Sequence, residues 1–76
     1  MTQPRPRVPL SRQIAADIRA KIESGEYKAD VALPSIVKLS QEYGVATGTI
    51  QKALRILKDE GWVESEPAYG TFPAKR

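Results

Sequence analysis

Two helical hydrophobic patterns stand only three residues apart between positions 36 and 57, and this closeness restricts the fold more than any other feature of the chain. In the first pattern Ile36, Leu39 and Tyr43 share one side of a short helix. In the second, Ile50, Ala53, Leu54 and Leu57 follow the i, i+3, i+4, i+7 spacing of an amphipathic helix. The link is Gly44-Val45-Ala46. Glycine suits the left-handed position that closes a helix, and Val45 is a natural plug between the two elements, so the pair is a helix-turn-helix. Ser35, after Pro34, is placed to cap the first of these helices, and Gly61 ends the second.

The same periodicity gives an earlier helix. Leu10, Ile14, Ile18 and Ile22, with Ala15 beside them, form a stripe over about residues 10–24 that Ser24-Gly25 stops. The stretch "EYKADVALP" is irregular, with a very short strand expected at 31–33 before Pro34 breaks it. At the other end "WVESEPAYGTF" reads as strands over 62–66 and 71–72 around a turn containing Pro67 and Gly70. The expected fold class is α+β and mainly helical, with three helices plus a C-terminal β-hairpin in a domain over 10–76. Residues 1–9 hold Pro4, Pro6 and Pro9 with Arg5 and Arg7 between them, which predicts a flexible basic arm.

Composition removes several classes of function. At 76 residues there is one core, and a domain this short buries roughly 60% of its unfolded surface. The chain has no cysteine and no histidine, so thiolate metal sites, disulfides, thiol catalysis and the commonest catalytic base are absent. Asp59 and Glu60 read as a solvated pair at a helix end, not as a separated acid/base pair. No enzyme activity, metal or cofactor is expected. The N-terminus lacks the apolar run of a secretory signal and no segment approaches a membrane span, which predicts a soluble cytoplasmic protein. A net charge of +3 and a pI near 9.5 permit an anionic partner without requiring one.

At about 100° per residue, Thr47, Gly48, Gln51, Arg55 and Lys58 project opposite the aliphatic stripe of the third helix. The result is a cationic, hydrogen-bonding ridge whose N-terminal amides can meet a phosphate. In the major groove Gln pairs bidentately with adenine and Arg with guanine. A solvated helix face is the competing reading. Trp62, Phe72 and Tyr43 are expected in the core, closing the hairpin onto the helices, in preference to stacking on single-stranded nucleic acid. Tyr69 at the hairpin tip is either surface filler or a groove contact. Arg5 and Arg7 read as a solvated tail or as a minor-groove arm.

The segments "PLSRQIAADIRAKIESGEY", "LPS", "LSQEYGVATGTIQKALRILKDEGWVE" and "GTF", in this order and spacing, resemble the winged-helix DNA-binding domain of GntR-type transcriptional regulators over residues 9–72. The resemblance implies a third helix in the major groove of double-stranded DNA and a hairpin wing near the minor groove. It also implies a sequence-specific regulator; a lone domain of this size grips a half-site weakly, so the free chain is expected as a monomer and two copies as a homodimer on a palindromic operator. The expected DNA-contacting set is Ser35, Lys38, Thr47, Gly48, Thr49, Gln51, Lys52, Arg55 and Lys58, with Tyr69, Gly70 and Thr71 from the wing; Arg5 and Arg7 join it if the arm enters a minor groove as arms of other DNA binders do.

This chain departs from the family pattern at informative places. Three arginines that members use on phosphates and bases are Val37, Thr47 and Gln51 here, and the base-reading role carries over to Thr47 and Gln51 alone. Ala46 has no side chain to cap the third helix, which makes Thr47 the expected cap. Glu64 and Glu66 give the wing an acidic strand that phosphate repels, and Ala68 stands at a tip position that is often Gly. Family members usually continue into an effector-binding, dimerising domain, so no small-molecule effector is expected within these residues. The lost arginines and acidic wing keep two rivals open, a winged helix used for protein contacts and an architectural DNA-binding factor of a mobile element.

Overall fold

The computed structural model describes residues 8–74 and contains α1 (Leu10–Ser24), α2 (Ile36–Tyr43), α3 (Thr47–Asp59), β1 (Val63–Glu66) and β2 (Gly70–Pro73). Three helices followed by an antiparallel hairpin make a winged helix-turn-helix. Arg5 and Arg7 lie outside the described residues.

α1 starts at Pro9, whose carbonyl accepts the amides of Arg12 and Gln13 at 3.0 and 3.1 Å. Its apolar stripe buries Ile14, Ala15 and Ile18. Leu10 belongs to that stripe by spacing but remains half exposed. The core joins the α1 residues to Leu33, to Leu39 of α2, to Ile50, Ala53 and Leu57 of α3 and to Val63 of β1. Ile18, Leu39, Ile50 and Leu57 are its largest fully enclosed side chains, each worth about 1.5–3 kcal/mol of burial.

The turn between α2 and α3 is set by Gly44, at φ 68°, after which the Val45 amide bonds the Ser40 carbonyl at 3.0 Å. Val45 packs partly buried against the core, the position expected of a plug. α3 closes in a Schellman arrangement: Gly61, at φ 83°, donates to the Lys58 carbonyl, and Trp62 donates to that of Leu57. That turn reverses the chain and aims β1 back along the helices.

Residues 31–33 do not form a strand. Leu33 gives one hydrogen bond, from its amide to the Thr71 carbonyl at 2.8 Å, and Pro34 has no amide with which to extend a ladder. The segment covers the open edge of β2 at a single point. In the hairpin Val63 pairs with Pro73, Glu64 with Phe72, Ser65 with Thr71 and Glu66 with Gly70. Trp62 precedes the ladder and does not belong to it. Its ring packs on the core under the guanidinium of Arg19, 4.7 Å from the ring centroid, which ties the base of the hairpin to α1.

Candidate nucleic-acid interface

α3 carries two faces of opposite chemistry. Ile50, Ala53 and Leu57 are buried, while Thr47, Gly48, Gln51, Lys52, Arg55 and Lys58 are exposed and Thr49 is half-buried at the flank. The inward face packs on α1 and α2, so the polar ridge is held rigidly outward. Its first turn differs from expectation. The N-cap is Ala46, in extended backbone conformation, and its carbonyl accepts the amides of Thr49 and Ile50 at 3.0 and 3.4 Å. Thr47 is already the first helical residue, so its hydroxyl is not needed as a cap. No side chain among the described residues caps this end, which leaves its first amides open to an acceptor from outside.

At the start of α2, Ser35 caps the helix as predicted, its hydroxyl oxygen accepting the Lys38 amide at 3.1 Å. The hydroxyl proton stays available to donate. Lys38 is exposed beside it.

Hairpin geometry brings part of the predicted set together. Period-two alternation, anchored by buried Val63 and Pro73, turns Ser65 and Thr71 toward α3. Gln51, Arg55 and Lys58 from the helix then share an open groove with Ser65 and Thr71 from the wing and Ile36 from α2. Ser65 was missing from the sequence-based set. The signal that would have found it is the alternation itself, since Val63 fixes which side of β1 faces the helices. Lys52 lies on the opposite flank of the ridge. Tyr69 and Gly70 sit at the tip, and the Tyr69 ring turns to the other side of the wing with Glu64, Glu66 and Phe72.

The aromatic residues divide. Tyr43 and Trp62 pack partly buried against the core as expected, but Phe72 does not. Its register opposite Glu64 points it away from the helices, where it is half-buried in the outer groove. Tyr43 donates its hydroxyl hydrogen to Asp17, and Lys21 lies 5.3 Å above its ring and 3.7 Å from the same carboxylate. Burial foremost, then the bond to Asp17, pushes the Tyr43 phenol up to about 12.

Charges are sorted in space. Arg12, Arg19 and Lys21 of α1 are paired with Glu60, Glu23 and Asp17. Lys38, Lys52, Arg55 and Lys58 have no ion-pair partner among the described residues. Four of the five described cations without an ion pair therefore lie on the exposed faces of α2 and α3, and the fifth, Lys28, is in the α1–α2 connection. Among those residues there is also no cluster of His, Cys, Asp or Glu able to hold a metal, and no helix long and apolar enough to cross a membrane.

Residues 10–72 match the family model of bacterial regulatory proteins of the gntR family. The chain is 44% identical over 64 residues to the mannosyl-D-glycerate transport/metabolism system repressor MngR of Escherichia coli (strain K12), covering 84% of this chain and 27% of that protein. It is 31% identical over 68 residues to the HTH-type transcriptional repressor NagR of Bacillus subtilis (strain 168), covering 90% of this chain and 28% of that one. It thus spans little more than a quarter of the length of either relative. Among solved structures it resembles the AraR DNA-binding domain in complex with operator ORR3, with a TM-score of 0.85 and 30% identity over 97% of this chain and 89% of that chain. With the fold, the turn and the sequence match in agreement, the chain belongs to the gntR family of bacterial regulatory proteins.

Proposed function

We propose that these residues form the DNA-binding part of a cytoplasmic, sequence-specific transcriptional regulator that acts without a catalytic step. The observation that carries this reading is the charge sorting: four unpaired cations surround a rigid helix whose other face is core. An α-helix fits the major groove, and this ridge offers what base edges and phosphates recognise. The likeness to the operator-bound AraR domain and to the bacterial repressors MngR and NagR supports the same reading.

Gln51 and Arg55, one helical turn apart, read neighbouring bases, with Gln51 matched to adenine and Arg55 to guanine. Thr47, free of capping duty, offers its methyl to a thymine. Gly48 lets the duplex approach closely, and the open amides of the first turn hold a phosphate. Lys38, Lys52 and Lys58, with the hydroxyls of Ser35 and Thr49, fix register on the backbone. On the wing, Ser65, Gly70 and Thr71 face the strand that passes between hairpin and helix, while the Tyr69 ring, on the other side, takes no part. A single domain grips one half-site, so two copies occupy a palindrome.

Selection of binding sites from random duplex DNA tests the proposal. Enrichment of a palindrome is the expected result. Binding without enrichment would favour the architectural reading, and no binding at low salt would favour a protein-contact module. Either would overturn the proposal.

A further inference from the structure

The hairpin has a second face that DNA recognition leaves unused. The alternation that turns Ser65 and Thr71 inward sends Glu64, Glu66 and Phe72 outward. Phe72 and Tyr69, the latter 75% exposed, form the aromatic part of a shallow groove bounded by Asp30, Glu64 and Glu66. None of these three carboxylates has an ion-pair partner among the described residues. Phosphate would be repelled here. An exposed ring beside a half-buried one, both bordered by carboxylates, suits a guanidinium, which stacks on an aromatic face while its N–H groups donate to a carboxylate.

The chain itself carries a segment of that chemistry in Pro4-Arg5-Pro6-Arg7. The segment offers two guanidinium groups set between prolines, whose fixed φ lowers the entropy a chain loses on docking. Extended proline-rich segments commonly dock in aromatic-lined grooves. We propose that the outer face of the wing binds residues 4–7 of a second copy of this chain.

The contact is between copies because α1 separates the two partners within one. The arm joins at Val8, whose carbonyl accepts from Gln13 at the start of α1. Ala29, which borders the groove, also lines a hollow with Ile22 and Tyr27 at the far end of that helix. The 15 residues of α1 span about 22 Å at 1.5 Å per residue. Arg5 is three residues from Val8, which is at most about 11 Å of chain.

The experiment needs no DNA, so its outcome is independent of the function proposed above. A 15N-labelled chain with Arg5→Gln and Arg7→Gln serves as receiver, and unlabelled unaltered chain is the donor. Amide shifts at Glu64, Glu66, Tyr69 and Phe72 should grow with donor concentration. Apparent affinity should fall by about fivefold or more when the donor also carries Arg5→Gln and Arg7→Gln, or when the receiver carries Glu64→Gln and Glu66→Gln, as two lost surface charge contacts imply. No wing shifts at millimolar donor, or shifts indifferent to the donor's arginines, would overturn the proposal.

Discussion

The charge sorting leads to a quantitative expectation for salt. If Lys38, Lys52 and Lys58 neutralise about three phosphates between them while Arg55 reads a base, the slope of log K against log salt is about −2.7, and tripling the salt weakens binding about 20-fold. Lys52 stands on the flank of α3 away from the wing groove, so Lys52→Gln removes a backbone contact without disturbing Gln51 or Arg55. Its slope should become about 0.9 less steep, with the loss of affinity similar for preferred and unrelated duplexes. Lys28→Gln provides the control, because Lys28 is an exposed cation in the α1–α2 connection, away from the α3 ridge. It should leave the slope unchanged. Fluorescence anisotropy with labelled duplex over a range of potassium chloride measures all three proteins. Equal slopes for parent and Lys52→Gln, or an equal reduction in Lys28→Gln, would refute docking by this face.

Ala46→Ser should raise stability by about 0.5–1 kcal/mol in urea unfolding, because it supplies a hydroxyl acceptor to a helix start that lacks a side-chain cap. Leu57→Ala, on the enclosed side of α3, should cost about 2–5 kcal/mol in the same assay, with DNA binding lost at denaturant levels where the parent is folded. The Tyr43 phenol keeps its proton to about 12 in the folded chain but loses it near pH 10 when unfolded, so the unfolded state binds fewer protons between these values. Stability therefore falls as pH rises through this window, and Tyr43→Phe should flatten that fall. Tyr27, raised by burial, keeps part of it. Lys21, lowered by burial but raised more by the Tyr43 hydrogen bond together with neighbouring charges, contributes in the same direction.

Local rules made the helices legible. The stripes of α1 and α3, the Ser35 cap and the glycines at 44 and 61 each follow from residue spacing and backbone preference, and tertiary contacts agree with them. Decisions taken between elements were less visible. Whether Ala46 or Thr47 caps α3 depends on where the chain leaves the Gly44 turn, and backbone geometry there outweighs side-chain preference. Val31 and Leu33 have strand-like side chains, yet only the Leu33 amide finds an acceptor on β2. The direction of Phe72 and the place of Ser65 followed from register, which is fixed once Val63 enters the core opposite Pro73. From the candidate site, the α3 ridge was legible because one helix carries it. The groove was not, because it needs the wing beside the helix.

The most direct test of this account is site selection with Gln51 variants, since Gln51 lies on the ridge one turn before Arg55 and lines the groove. Gln51→Ala should weaken the preferred duplex by about 1–3 kcal/mol, leave nonspecific binding nearly unchanged and lose preference at one base pair in each half-site. Gln51→Arg should move that base pair toward guanine and tighten nonspecific binding through its added charge. If both variants return the same motif as the parent, α3 does not read the sequence.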